Sequence, residues 1–307
     1  MTFDDDLPAP RGASDAERGI AVDQIAAALD GFEEPSEALT LGEVNWRPDL
    51  IRGTDAVVHL SLDGELPRVF LRRLEAAADE GYAVFFATSS LGLDLDTLVA
   101  LQDLDAGVVF LNFREEGIQV DSYKSVADWI ALRRIALAPD EMARLVRQRL
   151  EAGAGTGTNA ARGRWFEEAL CLLFSQVSWL EVEEHGYTNA SEEIDLVLSA
   201  RGGGYLARLA KGPIVIGTAK NEDSATGSSV VKYLKEQMAN RKGRCRLGFL
   251  CSATTISKKA KIEILRGSQS GDFVIVELAR AEIDDLLDNA DDLDEKLVAL
   301  IVRAINE

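Results

Sequence analysis

The chain has 307 residues, 47% of them hydrophobic and 28% charged, with a net charge of −19. That length favours two domains, and that balance a globular protein rather than a disordered or fibrous one. No apolar run reaches the roughly 20 residues of a membrane span, and the acidic start MTFDDDLPAP lacks the apolar core of an export signal.

Residues 1–20 are polar, with Pro, Gly and Asp, and read as a disordered tail. An α/β region then runs over 21–150. DAVVHLSL (55–62) is a buried strand, LPRVFLRRLEAAADEG (66–81) a helix ending at Gly81, and YAVFFATSS (82–90) a second strand. A short helix at 94–107 and a strand VVFLNF at 108–113 follow. This alternation predicts a small parallel sheet with crossover helices, resembling half of a Rossmann-like unit. It carries no GxGxxG and no GxxxxGK[ST]. A docking role for a protein partner and binding of a nucleotide both stay open for it. Residues 126–152 read as two helices broken near Pro139, with Asp140 and Glu141 at the second start. AGAGTGTNAA (152–161) has no apolar period and reads as a flexible linker, placed at 151–162.

The pattern restarts at 163. GRWFEEALCLLFSQ (163–176) is an amphipathic helix, WLEVEEHGY (179–187) and EEIDLVLSA (192–200) are strands joined by a turn at Thr188-Asn189, and PIVIGTA (213–219) is a further strand. Helix 228–243, strand 246–253, helix 257–267, strand 273–278 and an acidic helix pair at 280–306 complete the chain. Trp165 and Trp179 are expected in the core, and Glu168 on a solvated face.

Three cysteines, Cys171, Cys245 and Cys251, have no CxxC spacing and suit a reducing cytoplasm. Two histidines, His59 and His185, are too few for most zinc sites or a His-based nucleophile, so carboxylates and lysine are expected to carry any chemistry. The charge is uneven. Residues 1–150 carry −14, residues 151–280 carry +2 and residues 281–307 carry −7. Within 232–266 ten basic residues meet only Glu236 and Glu263. A basic stretch in so acidic a chain points to a phosphate-bearing partner, or to a solvated helix face.

Four segments in order, GRWFEEAL, EEIDLVL, VIGTAKN and RLGFLCSATTISKKA, resemble the restriction-endonuclease-like PD-(D/E)xK superfamily and within it the Mrr-like group. The resemblance covers residues of about 163–288, in a domain running over 163–307. It implies an α/β core with a mixed sheet and a DNA endonuclease dependent on Mg²⁺ or Mn²⁺, with restriction of foreign DNA or repair as its context. It implies Asp195 as metal ligand, Lys220 as the lysine acting on the attacking water, and Glu167 as a carboxylate of the first helix. Mg²⁺ takes hard oxygen ligands, and residues two apart on a strand share a face. Glu193 pairs with Asp195 in this way, and Thr218 with Lys220. The family's carboxylate two before the lysine is here Thr218, a neutral oxygen. Glu167, Glu193 or the Ala219 carbonyl are the expected substitutes. The alternative is a degenerate site in which Lys220 only pairs with Asp195 and the fold binds nucleic acid without cutting.

Thr218, Asn221, Lys258, Lys259, Lys261, Arg241 and Arg244 are the expected substrate contacts, phosphate contacts giving affinity without sequence information. Cutting both strands favours a homodimer, and no membrane partner is expected.

Overall fold

The computed structural model describes every residue except 1–14, 43, 92, 115–116, 189–192, 202–211, 271–272 and 307, and gives only the main chain of 15, 117, 185, 187–188, 193 and 267–270. The chain forms two compact units, 1–129 and 130–307. The boundary falls inside helix α4 (Val126–Arg133), ahead of the expected linker.

The first described element is α1 (Asp15–Ala28), so residues 15–20 of the expected tail are helical, and the rest of that expectation lies outside the described residues. Val22 and Ile25 of this helix are buried against the sheet residues Leu50, Val58 and Leu60. A hairpin of β1 (Leu39–Leu41) and β2 (Val44–Trp46) follows. The main sheet has the order β3 (Leu50–Arg52), β4 (Ala56–Leu60), β5 (Ala83–Thr88), β6 (Gly107–Arg114), β7 (Gly117–Tyr123). Helices α2 (Arg68–Asp79) and α3 (Leu95–Asp103) join the central strands, which are parallel as expected. The outer strands β3 and β7 run antiparallel, so the sheet is mixed rather than purely parallel. The strand order is strictly sequential. It contains no reversal, and a reversal is what opens the ligand crevice of doubly wound sheets.

His59 on β4 is buried, stacked on Phe70 at 4.4 Å, with Nδ1 3.2 Å from Asp49 Oδ2. The other Asp49 oxygen pairs with Arg18 of α1. The side chain of His185 lies outside the described residues.

Unit 2 takes in the end of α4 and then a helical hairpin, α5 (Pro139–Ala154) and α6 (Asn159–Ser175). The stretch expected to be a linker is therefore mostly helix, and only residues 155–158 connect the two. Thr158 caps α6 by accepting from Ala161 N at 3.2 Å. Gly157 is required for close approach, because a Cβ there would lie 2.9 Å from the Trp165 ring. Glu168 is not solvated: it is buried on α6 and its Oε2 lies 2.8 Å from Nε of the equally buried Arg149 on α5.

The sheet of unit 2 has the order β12 (Val274–Leu278), β11 (Cys245–Ser252), β10 (Ile214–Lys220), β9 (Glu193–Ala200), β8 (Leu180–Thr188). Strands β8, β9 and β10 are antiparallel, and β10, β11 and β12 are parallel. Helix α7 (Ser228–Asn240) links β10 to β11, and α8 (Lys258–Ser270) links β11 to β12. Both pack on one face: Ile216 and Leu250 share a cluster with Val231, Leu234, Ala260 and Ile264. Helix α6 covers the other face, where Phe174 meets Phe249 with ring centroids 4.8 Å apart. The acidic pair α9 (Arg280–Asp288) and α10 (Leu293–Asn306) ends the chain. Both units are thus α/β with mixed sheets. The three cysteines are buried, and burial pushes the Cys245 thiol up to about 12 and raises Cys251 as well. No described helix is long and apolar enough to cross a membrane.

Candidate active site

Strand β10 reads IVIGTAK, apolar until its last three residues. Its ladder with β9 runs from Ile214↔Ser199 to Gly217↔Leu196 and stops there. One step further, Thr218 stands opposite Asp195, and the pairing changes character. The Asp195 carboxylate enters the place of a main-chain partner. Its Oδ2 accepts from Thr218 Oγ1 at 2.8 Å and from Ala219 N at 2.6 Å. Lys220 Nζ lies 3.7 Å from the same oxygen. The side chains are 12% exposed for Asp195 and 32% for Lys220, so the pair sits at the rim of the sheet, with Thr218 buried behind it. No described residue donates to Asp195 Oδ1.

Thr218 and Lys220 follow Ile216 at two-residue steps and so lie on the α7–α8 face. Glu167 is on α6, which covers the opposite face. Glu193 heads β9 two residues before Asp195, and its side chain lies outside the described residues. Among the described residues no group of three or more His, Cys, Asp or Glu gathers into a metal cage. The Ala219 N–H is spent on Asp195, and the residue is buried. Asn221 turns the other way: its Nδ2 donates to Gly153 O at 3.0 Å and Arg162 O at 2.7 Å.

The basic residues divide by strand geometry. Lys220 is paired with Ser252, and Ile214 with Cys245, so β10 and β11 start together and end together. Lys258 and Lys259, exposed in the first turn of α8, follow the end of β11 and stand at the Lys220 end. Arg241 and Arg244 precede β11 and stand at the far end of the sheet. Six residue steps of β10 separate the two ends, about 20 Å. The structure therefore does not bring Arg241 or Arg244 to Asp195 and Lys220. Lys261 is exposed but engaged by Glu277 at 2.9 Å, a hydrogen bond that raises its pKa. Lys235 is likewise held by Glu263 at 2.9 Å.

Sequence reasoning missed the polar network that joins the loops after β10 and β11. Thr226 N donates to Thr255 O at 2.8 Å and Ser257 N to Thr226 O at 3.1 Å, while Thr226 Oγ1 donates to Ser252 Oγ at 2.9 Å. Residues 226 and 256 are bridged as a short parallel pair, so the starts of α7 and α8 are held side by side. Thr and Ser in a polar turn gave no signal of partners 26 to 31 positions away.

No family model matches the chain, and no curated protein does. Two solved structures are similar to it. One is protein VC1899 from Vibrio cholerae, 11% identical over 78% of this chain and 80% of that one, with a TM-score of 0.27. The other is the MspJI restriction endonuclease in complex with a 27-mer oligonucleotide, 12% identical over 90% of this chain and 84% of that one, with a TM-score of 0.30. Likenesses this distant say nothing of this chain's activity.

Proposed function

We propose that unit 2 is a restriction-endonuclease-like module of Mrr-like type that hydrolyses phosphodiester bonds in DNA with Mg²⁺ or Mn²⁺. The observation that carries this is the meeting of Asp195 and Lys220 at 3.7 Å on neighbouring strands, with Lys258 and Lys259 at the same end of the sheet. The residues fit an open cation site rather than a closed cage. Mg²⁺ is commonly held by one or two carboxylates, with water and substrate phosphate completing its shell. Asp195 Oδ1 would hold it, with Glu193, two residues earlier on the same strand, as second carboxylate and the Ala219 carbonyl as a further oxygen; Glu167, expected to join them, is on the helix that covers the opposite face. A cation bound there supplies Lewis-acid polarisation of the scissile phosphate and a more acidic water.

The chain's own groups do the rest. Thr218 and the Ala219 N–H fix the Asp195 carboxylate. Lys220 places a positive charge beside the attacking water or the phosphorane oxygens. Lys258 and Lys259 bind flanking phosphates. Unit 1 is proposed as a regulatory or partner-binding domain, the location as cytoplasmic, and the assembly that cuts both strands as a homodimer serving defence against foreign DNA.

One observation favours a second reading. The Thr218 hydroxyl donates to Asp195 where the resemblance places a carboxylate, which is the arrangement of a nuclease fold that binds nucleic acid without cutting. Cleavage of plasmid, linear and single-stranded DNA and of RNA, with Mg²⁺, Mn²⁺ or EDTA, separates the two. Metal-dependent cutting lost in Asp195→Ala and Lys220→Ala supports the enzyme. Salt-sensitive binding that survives EDTA, with no cutting, supports the binding module.

A further inference from the structure

Asn221 follows Lys220 directly, and its two Nδ2 hydrogens go to two helices at once. Gly153 O, at 3.0 Å, lies in the last turn of α5, and Arg162 O, at 2.7 Å, in the first turn of α6. The last carbonyls of a helix have no partner within it, so Gly153 O is open to a donor from outside. Arg162 reinforces the junction. Its Nε donates to the same Gly153 oxygen at 3.0 Å, and its guanidinium pairs with Asp223 at 2.7 Å, two residues beyond Asn221. The fit is close: a Cβ on Gly153 would lie 3.1 Å from Asn221 Nδ2 and 3.3 Å from Arg162 O.

The end of β10 needs such a fastening. Its ladder with β9 stops at Gly217, and the Ala219 N–H binds the Asp195 side chain instead of main chain. On the β11 side the strand is held through Lys220 O, which accepts from Ala253 N at 2.9 Å. On the β9 side the ladder has no member beyond Gly217 among the described residues. The backbone at 220–221 sets the direction in which the Lys220 side chain leaves the strand.

We propose that Asn221 is a positioning residue: its carboxamide clamps the end of β10 to the α5–α6 hairpin and so sets Lys220 and Ala219 against Asp195. The inference rests on the reading of Asp195 and Lys220 as the working pair. A substrate role for the Asn221 amide is disfavoured, because both its hydrogens are already donated to carbonyls.

The test uses the full chain with Asn221→Ala and, approaching the same junction from the helix side, Gly153→Ala. Amide exchange at Ala219 and steady-state cleavage are read together. Both variants are expected to speed exchange at Ala219 selectively. Both are also expected to lower kcat by about 10²-fold with little change in KM, the size of effect that a small misplacement of a reacting group produces. Exchange that rises uniformly along the chain, or kcat unchanged in folded variants of a cutting protein, overturns the proposal. Should the wild type cut nothing, the nuclease reading fails on its own. Exchange at Ala219 then decides the clamp: selective acceleration supports it and no change overturns it. If Asn221→Ala does not fold, Gly153→Ala carries the same comparison, since it deletes no hydrogen-bonding group.

Discussion

Thr218 donates its hydroxyl to Asp195 Oδ2 at 2.8 Å from the next strand, and it does so while 3% exposed. Thr218→Val keeps the shape and removes the donor. Loss of a hydrogen bond to a carboxylate is expected to destabilise by roughly 1.5–3 kcal/mol. Urea unfolding should show a lower midpoint at unchanged slope. A midpoint equal to that of the wild type would mean the hydroxyl contributes nothing to holding Asp195.

Arg149 and Glu168 join α5 to α6 with side chains 3% and 2% exposed. Removing Arg149 leaves the buried Glu168 to the more distant, half-exposed Arg164 at 3.8 Å, which compensates it poorly, so Arg149→Met is expected to cost up to about 3–5 kcal/mol. The double variant Arg149→Met/Glu168→Leu should recover most of that loss, because an apolar pair leaves no charge stranded. Thermal melts of the three variants decide this. A double variant as unstable as the single one refutes it.

In unit 1, burial pushes the Asp49 carboxyl up, but the His59 and Arg18 charges and the Leu60 N–H outweigh it and hold it below the ordinary carboxylate value. A group lowered in the folded state contributes fully above its unfolded pKa of about 3.9 and loses that contribution as pH falls through the folded value. Asp49→Asn should therefore be less stable than wild type at neutral pH, with the gap closing between about pH 5 and pH 1. Urea midpoints across that range test it. A gap that stays constant with pH would show that Asp49 acts through packing rather than charge.

Lys258 and Lys259 are exposed at the Lys220 end of the sheet, whereas Arg241 and Arg244 stand at the other end. If both lysines contact phosphates, Lys258→Ala/Lys259→Ala should flatten the slope of log affinity against log salt by about 2. Arg241→Ala/Arg244→Ala should leave it near the wild-type value. Fluorescence anisotropy with a DNA duplex over a salt series measures both. Equal effects from the two pairs would place the nucleic acid along the whole α7–α8 face.

The central strands and helices of both units were legible because their apolar residues repeat at the strand or helix period. The elements that escaped had weak periods. Strands β1, β2 and β3 have three residues each, too short to show alternation. Strand β7, GIQVDSY, is half polar and lies at an edge. The start of α6 was hidden by the glycine and threonine run just before it, and its first turn is set by the Thr158 cap and by packing against α5.

The candidate site divides in the same way. Asp195, Thr218 and Lys220 were visible as a set because strand parity places residues two apart on one face, and a strand pair needs only a register to bring them together. Asn221 was visible as a residue but not as a clamp: Gly153 and Arg162 lie 68 and 59 positions before it, and nothing local announces a bond across that separation. The basic run over 232–266 looked like one surface. The tertiary structure sends its two parts to opposite ends of β11, because a parallel crossover returns the chain to where the strand began.

By itself, the sequence determined the features that short-range period and residue chemistry dictate: α/β architecture, the strand carrying Lys220, and the strand carrying Asp195. Only the tertiary structure decided which side chains meet. It put Glu168 on Arg149, Asn221 on the α5–α6 hairpin and Arg241 away from Lys220. Those pairings are settled by packing between elements distant in the chain, and residue spacing carries no record of them.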